Sequence, residues 1–255
     1  MAASKSKTET VAFRWQRYHA SLQTGHYLTV QAQNQNSGRA FSAQGDFSGA
    51  CGLHVFSSVL VLFDLAKSIA LQDMPRRKYG VPAEVWAAFQ HTFFCGVHAH
   101  EFVELAESLK LPLNLTLRQD NDGGLDKWTV DNLLRGELVA VTFASVKNRR
   151  TKHWALCVGC EGSMSGRESR TDTILLLDPA GTEPCFQAAN SRLCVPQTGP
   201  GSRGGKAADE LCKSKGAKPI DWLYEGPEWA TEPMRLTAAV RFRLADWSYK
   251  QREKK

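Results

Sequence analysis

The chain is predicted to adopt an α+β fold in which a helical half packs on an antiparallel sheet half. Three observations predict it. A run that is apolar almost all round begins at Cys51 and has helical length. Further helical patterns follow as far as residue 134, and from residue 138 the apolar residues fall into compact runs of strand length. Helices first and strands afterwards mark a segregated arrangement, not alternating βαβ units.

Residues 1–10 are polar and read as a flexible lead to a domain spanning 11–249, with a basic tail at 250–255. Residues 10–18 and 26–33 carry aromatic and β-branched residues in partial alternation and read as short strands. The Gly, Ser, Asn and Gln residues of 34–49 mark a loop. The run 51–66 is predicted to be a buried helix, because a helix apolar on every side has no solvent face. Residues 82–94 and 99–109 read as further helices, the second with Phe102, Val103, Leu105, Ala106 and Leu109 on one side. A short helix over 125–134 should end at Gly136. The runs 138–144, 154–158 and 173–177 are predicted central strands and 236–244 a last one. The Gly-, Pro-, Ser- and Lys-rich stretch 181–218 reads as an irregular insertion.

At 255 residues the chain can bury a core without disulfides or a structural metal. With 42% hydrophobic and 23% charged residues it falls outside the disordered and fibrous classes. The net charge of +6 is spread over clusters at 149–152, 203–218 and 250–255. No aromatic residues interleave with them, which argues against nucleic acid and for acidic partners or surfaces. Seven scattered cysteines suit a reducing cytosol better than a disulfide scaffold. Residues 1–10 lack the apolar core of a signal peptide. The stretch 55–65 is too short to span a bilayer and is broken by Ser57, Ser58 and Asp64. The expectation is a soluble, cytoplasmic protein without membrane contact.

Chemistry concentrates at four residues. A thiol attacks as thiolate, which a helix N-terminus and a nearby imidazolium both favour. Cys51 follows a turn-forming run and opens the buried helix, where unpaired backbone N–H groups converge. Gln44, seven residues upstream, can supply a side-chain donor to an oxyanion. His153 heads an apolar strand, and Asp178 ends the next one at a Pro-Gly turn. If those strands pair around residues 161–172, both side chains emerge at one sheet edge. The carboxylate can then fix the imidazole tautomer that takes the thiol proton. Each residue also has an ordinary reading: a packing cysteine, a solvated loop glutamine, a structural strand-end histidine, an Asp-Pro turn. Gly49 and Ala50 would line the substrate path. Trp154 would either wall the cleft or pack in the core.

The stretch Gln44-Gly45-Asp46-Phe47-Ser48-Gly49-Ala50-Cys51-Gly52-Leu53, the segment Leu133-Leu134-Arg135-Gly136-Glu137-Leu138-Val139-Ala140-Val141 leading to His153-Trp154, and Leu177-Asp178-Pro179 together resemble the papain-like cysteine peptidases. The likeness is nearest to stand-alone relatives of the bacterial peptidases that process double-glycine leaders, and covers about residues 40–181. It implies a papain-like fold with the nucleophile helix in the helical half, and peptide-bond hydrolysis through an acyl-enzyme without a cofactor. Ala50 stands where that family has an acidic residue. Ubiquitin C-terminal hydrolases are similar in their Gln, Cys, His, Asp order, so the implied partner is a peptide or protein, with a double-glycine or ubiquitin-like tail among the options. A catalytically silent module binding such a tail, and an acyltransferase using the same triad, are the alternatives.

Three other groups compete for attention. His91, Cys95, His98, His100 and Glu101 could be read as metal ligands, but neighbours on a helix diverge and no second ligand pair has the usual spacing, so no metal is expected. Cys157 and Cys160 have redox spacing but lie in a strand, which suits packing. His54 could approach the cleft from the Cys51 helix, although a satisfied core histidine fits its position better.

Overall fold

A computed structural model describes residues 12–31, 38–45, 49–148, 152–196, 211, 218–226 and 231–245. The expected lead at 1–10, the tail at 250–255 and most of the basic stretch 203–218 lie outside these residues, as do Asn34, Gln35 and Asp46 to Ser48.

Five helices are described: α1 (Cys51–Leu62), α2 (Ser68–Gln72), α3 (Val81–Phe89), α4 (Ala99–Ser108) and α5 (Leu125–Leu134). The long strands are β1 (Ala12–Tyr18), β5 (Leu113–Gln119), β6 (Leu138–Ser145), β7 (Lys152–Ser165), β8 (Glu168–Leu177) and β11 (Glu232–Leu244). Between them come the short strands β2 (Leu22–Gln23), β3 (Thr29–Val30), β4 (Gly38–Arg39), β9 (Ser191–Cys194) and β10 (Trp222–Glu225).

The expected helical half packed on a sheet half, and with it the papain-like division of the chain, is corrected by this topology. Among the described residues the structure is mostly sheet and 28% helical, and β6, β7, β8, β9, β10 and β11 pair in antiparallel fashion around a closed six-stranded barrel. β1 adds to the far half of β7, β5 adds to β11, and β2 to β4 form a separate small sheet. Much of the barrel lies where the sequence reads as loop. β7 and β8 run on through residues 161–172 to a turn at Gly166. β9 forms inside the stretch read as an irregular insertion, its Ser191 and Leu193 turned inward and Arg192 half-buried between them. Ring closure removes sheet edges that would otherwise invite foreign strands.

Both faces of the barrel wall are buried, which explains why its strands read as unbroken apolar runs. On β6, Val139, Val141 and Phe143 point into the barrel with Ile174, Leu176, Leu193, Trp222 and Tyr224. Leu138 and Ala140 point outward beneath the helices. α5 supplies Leu125, Val130 and Leu133 to the inner cluster. Its buried Asp126 accepts hydrogen bonds from Trp222 Nε1 (2.6 Å) and Ile220 N (3.1 Å).

The outer cluster is built around α1. Eleven of its twelve residues are buried, all but His54, so its amide and carbonyl groups are paired along the helix and its side chains fill space on every side. Phe56 stacks on Phe89 at 5.4 Å, and Phe102 of α4 stacks on Trp154 at 4.5 Å. Gly52 permits this depth of packing. A Cβ there would overlap the Val97 side chain and meet Trp154 Cδ1 at 3.4 Å. Among the described residues, no helix is long and apolar enough to cross a membrane.

Candidate active site

α1 presents Cys51 as its first helical residue, after a helix start at Ala50 without a side-chain cap. The backbone N–H groups of that first turn have no partner within the helix. Gly49 sets the entry angle: a Cβ there would stand 2.7 Å from Phe94 O and 2.9 Å from Gly96 N. Cys51 is 8% exposed and its Sγ lies 3.8 Å from Gly49 O.

Alternation along β7 decides which side chains meet the sulfur. Trp154, Leu156 and Val158 turn outward to the helices, whereas His153, Ala155 and Cys157 turn to the barrel. His153 sits at the barrel mouth with its ring edge-on to Phe143, 7% exposed, hydrogen-bonds Asp178, and is near enough to Cys51 for the thiol to raise its pKa. Its Nε2 meets Asp178 Oδ1 at 2.6 Å, which leaves Nδ1 as the ring nitrogen toward Cys51.

Asp178, fully buried, follows β8 directly. Its Oδ1 also accepts Ala180 N at 2.8 Å, and its Oδ2 accepts the Tyr224 hydroxyl at 2.7 Å. That hydroxyl lies 3.1 Å from Ser191 Oγ. Asn190 clamps the Asp178 backbone from both ends, its Oδ1 accepting Asp178 N at 2.7 Å and its Nδ2 donating to Asp178 O at 2.8 Å. Sequence reasoning missed Tyr224, Ser191 and Asn190. They come from β9, β10 and the segment before β9, and nothing local in the sequence ties them to residue 178.

Gln44 joins the site through its backbone, its N–H donating to Pro179 O at 2.8 Å. Its side-chain Oε1 is buried without a protein partner. A half-turn about the last side-chain bond exchanges that oxygen with the NH₂ group, so the carboxamide can present a donor from the same position. The structure thus brings Cys51, His153 and Asp178 together, with His153 and Asp178 hydrogen-bonded and Gln44 anchored to the turn that follows. Trp154 is corrected from a possible cleft wall to a core residue: it is 2% exposed and its Nε1 donates to Val97 O at 2.9 Å. Ala50 is buried as well, and Gly49 is half-buried. A cavity of about 340 Å³ opens beside His153, lined by Phe143, Ser145, Lys147, Glu232 and Met234.

The electrostatics follow from these contacts. Burial works to lower the His153 pKa, but its hydrogen bonds with Asp178 and Cys51 and their negative charges outweigh it and raise it to about 9. Burial works to raise the Asp178 pKa, and the hydrogen bond and charge of His153, with the Tyr224 and Ala180 donors, hold it below the ordinary value. The sign for stability is therefore fixed. The His153 contribution is complete below its ordinary pKa of 6.5 and is lost as pH rises through about 9; that of Asp178 is complete above 3.8 and is lost at lower pH. Urea unfolding from pH 6 to pH 10 should show the folded state losing roughly 3 kcal/mol from this pair. A His153→Gln variant should lack that slope, and an equal slope in the variant would refute the assignment.

Tyr224→Phe is expected to leave Asp178 Oδ2 without its donor at a cost of about 1–3 kcal/mol. If the hydroxyl positions the carboxylate, kcat should fall by about tenfold to a hundredfold with little change in KM. A purely structural tyrosine would lower thermal stability and leave that split unmoved.

The competing groups have structural roles. His54 Nδ1 pairs with Ser42 Oγ at 2.8 Å, and burial lowers its pKa to about 4, so it is neutral. Burial pushes the Cys157 thiol up and that of Cys160 to about 12, which keeps both protonated. Glu101 binds His98 N at the start of α4 and His91 Nε2 at 3.1 Å. Among the described residues no group of three or more His, Cys, Asp or Glu is placed to hold a metal ion. No protein-family model matches the chain, and no curated protein matches it either.

Proposed function

We propose that the chain is a thiol-dependent hydrolase that cleaves a peptide or isopeptide bond through Cys51, His153 and Asp178. The observation that carries this reading is the buried His153–Asp178 pair beside Cys51, which opens a helix at its N-terminus. The sequence likeness of the same residues to papain-like peptidases supports a peptide or protein substrate.

In this mechanism the imidazole takes the proton from Cys51 Sγ and the sulfur attacks the carbonyl carbon. The carbonyl oxygen becomes an oxyanion held by the Cys51 N–H and the Gln44 carboxamide. Collapse breaks the C–N bond as His153 gives its proton to the leaving amine, leaving a thioester on Cys51. His153 then takes a proton from water, the hydroxide attacks the thioester, and the product acid leaves as sulfur regains the proton from the imidazolium. Asp178 keeps Nε2 occupied, so the ring exchanges protons through Nδ1.

The test is site-resolved alkylation by iodoacetamide near pH 6, in the native protein and in His153→Ala. Cys95 and Cys185 are exposed and serve as internal standards for ordinary thiols, while Cys51 is buried. Unactivated, Cys51 should lag behind both. The hydrolase reading expects it to react faster than either and to lose that advantage in the variant. Slow labelling of Cys51 in both proteins would favour a silent peptide-binding module.

A further inference from the structure

The cavity of about 340 Å³ beside His153 takes part of its wall from that imidazole, and among the described residues neither Cys51 nor Gln44 lines it. In the hydrolase mechanism Cys51 and Gln44 hold the acyl carbon and its oxygen, whereas His153 gives a proton to the amine that leaves. What fills a cavity bordered by His153 alone is therefore carried by the leaving fragment. The group nearest to that amine is the side chain of the first residue after the cleaved bond.

The lining runs from apolar to anionic. Phe143 on β6 and Met234 on β11, both turned into the barrel, form its apolar floor. Glu232 stands two residues before Met234 on β11, so strand alternation puts its side chain on the same face. Ser145, the register partner of Met234, fixes that carboxylate. The Ser145 hydroxyl accepts Lys147 N at 3.2 Å and Asn148 N at 3.4 Å, and donates to Glu232 Oε2 at 3.0 Å. Glu232 Oε1 has no partner among the described residues and remains accessible, and no cation among them pairs with the carboxylate. Lys147 shares the lining without pairing with Glu232, and because it is exposed, water screens its charge. An apolar floor that leads to a fixed, accessible carboxylate matches a side chain with a methylene stem and a cationic end. A purely apolar side chain would cover the carboxylate without giving it a donor, and an acidic one would meet like charge.

We infer that this cavity is the leaving-side subsite of the hydrolase and takes a lysine or arginine side chain from the first residue after the cleaved bond, with Glu232 reading its charge. The inference rests on the hydrolase reading, and its test separates the two. The full chain and its Cys51→Ala form are each incubated with a synthetic peptide library in which every residue, with norleucine and citrulline added, is represented at each position. Cuts that disappear in Cys51→Ala are mapped by mass spectrometry. At the first residue after the cut, Lys should be favoured over norleucine and Arg over citrulline by about tenfold to a hundredfold, the worth of a hydrogen bond to a charged group. These pairs differ in charge and little in shape, so the native chain alone tests the subsite. Glu232→Gln, which keeps the volume and an acceptor for Ser145, should reduce both ratios to a few-fold, and a ratio taken within one protein cancels any general loss of activity. Cys51-dependent cuts without a basic preference at that position, or with one that survives in folded Glu232→Gln, overturn the subsite and leave the hydrolase standing. A library left uncut also overturns the subsite, and iodoacetamide labelling of Cys51 then decides the hydrolase reading by itself.

Discussion

Cys51→Ala is expected to reduce cleavage of any peptide the native chain hydrolyses by roughly 10⁴-fold or more, the scale seen when a covalent nucleophile is removed. The fold should survive, since the substitution deletes one sulfur at the first turn of α1 and leaves the helix backbone in place. Peptide-library digestion read by mass spectrometry, with a thermal melt of each protein, measures both effects. Cleavage at the native rate by a folded Cys51→Ala protein would remove Cys51 from the chemistry.

Asp178→Ala should be the most disruptive change to the site, because three donors lose their acceptor together. His153 Nε2, Ala180 N and the Tyr224 hydroxyl all converge on this carboxylate. Breaking a buried ion pair from one side costs about 3–5 kcal/mol, since the remaining charge is left without compensation. For a chain of this length that corresponds to a fall in Tm on the order of 10 °C. Asp178→Asn keeps the volume but removes the charge that raises the His153 pKa, and one amide face then opposes a donor. It should fold better than Asp178→Ala and still lose roughly 10³–10⁴-fold in kcat. Near-native activity in the folded asparagine variant would show that the carboxylate does not set the imidazole.

The candidate chemistry was more legible in the sequence than the architecture around it. Cys51, His153 and Asp178 each stand where a regular element begins or ends, and Gly, Pro and apolar runs mark those boundaries without any knowledge of tertiary contacts. The helix over 125–134 could be read for the same reason, with Gly136 in a left-handed conformation just past its end. The barrel could not. β10 is four residues long and β9 sits in a stretch dominated by turn formers, so neither has enough alternation to stand out from a loop. β5 was readable: Leu113, Leu115 and Leu117 alternate strictly with Asn114, Thr116 and Arg118. Trp154 was also decidable, because neighbours on a strand face opposite sides, and a strand that gives His153 to the site must give Trp154 to the other face. Tyr224 offered no such route. Its role depends on contact with a residue 46 positions earlier across a ring whose closure no local pattern announces.

The hydroxyl that Tyr224 brings to Asp178 has a consequence for the order in which the molecule becomes reactive. During synthesis Cys51, His153 and Asp178 all exist well before residue 224 does. Until β9 and β10 complete the ring, the carboxylate lacks one of its donors and the barrel mouth has no wall on that side. A growing chain therefore carries Cys51 in an unfinished setting, and the full set of donors to the carboxylate that holds His153 arrives only with β10. On the hydrolase reading, chemical competence is expected to be a late event, timed by barrel closure.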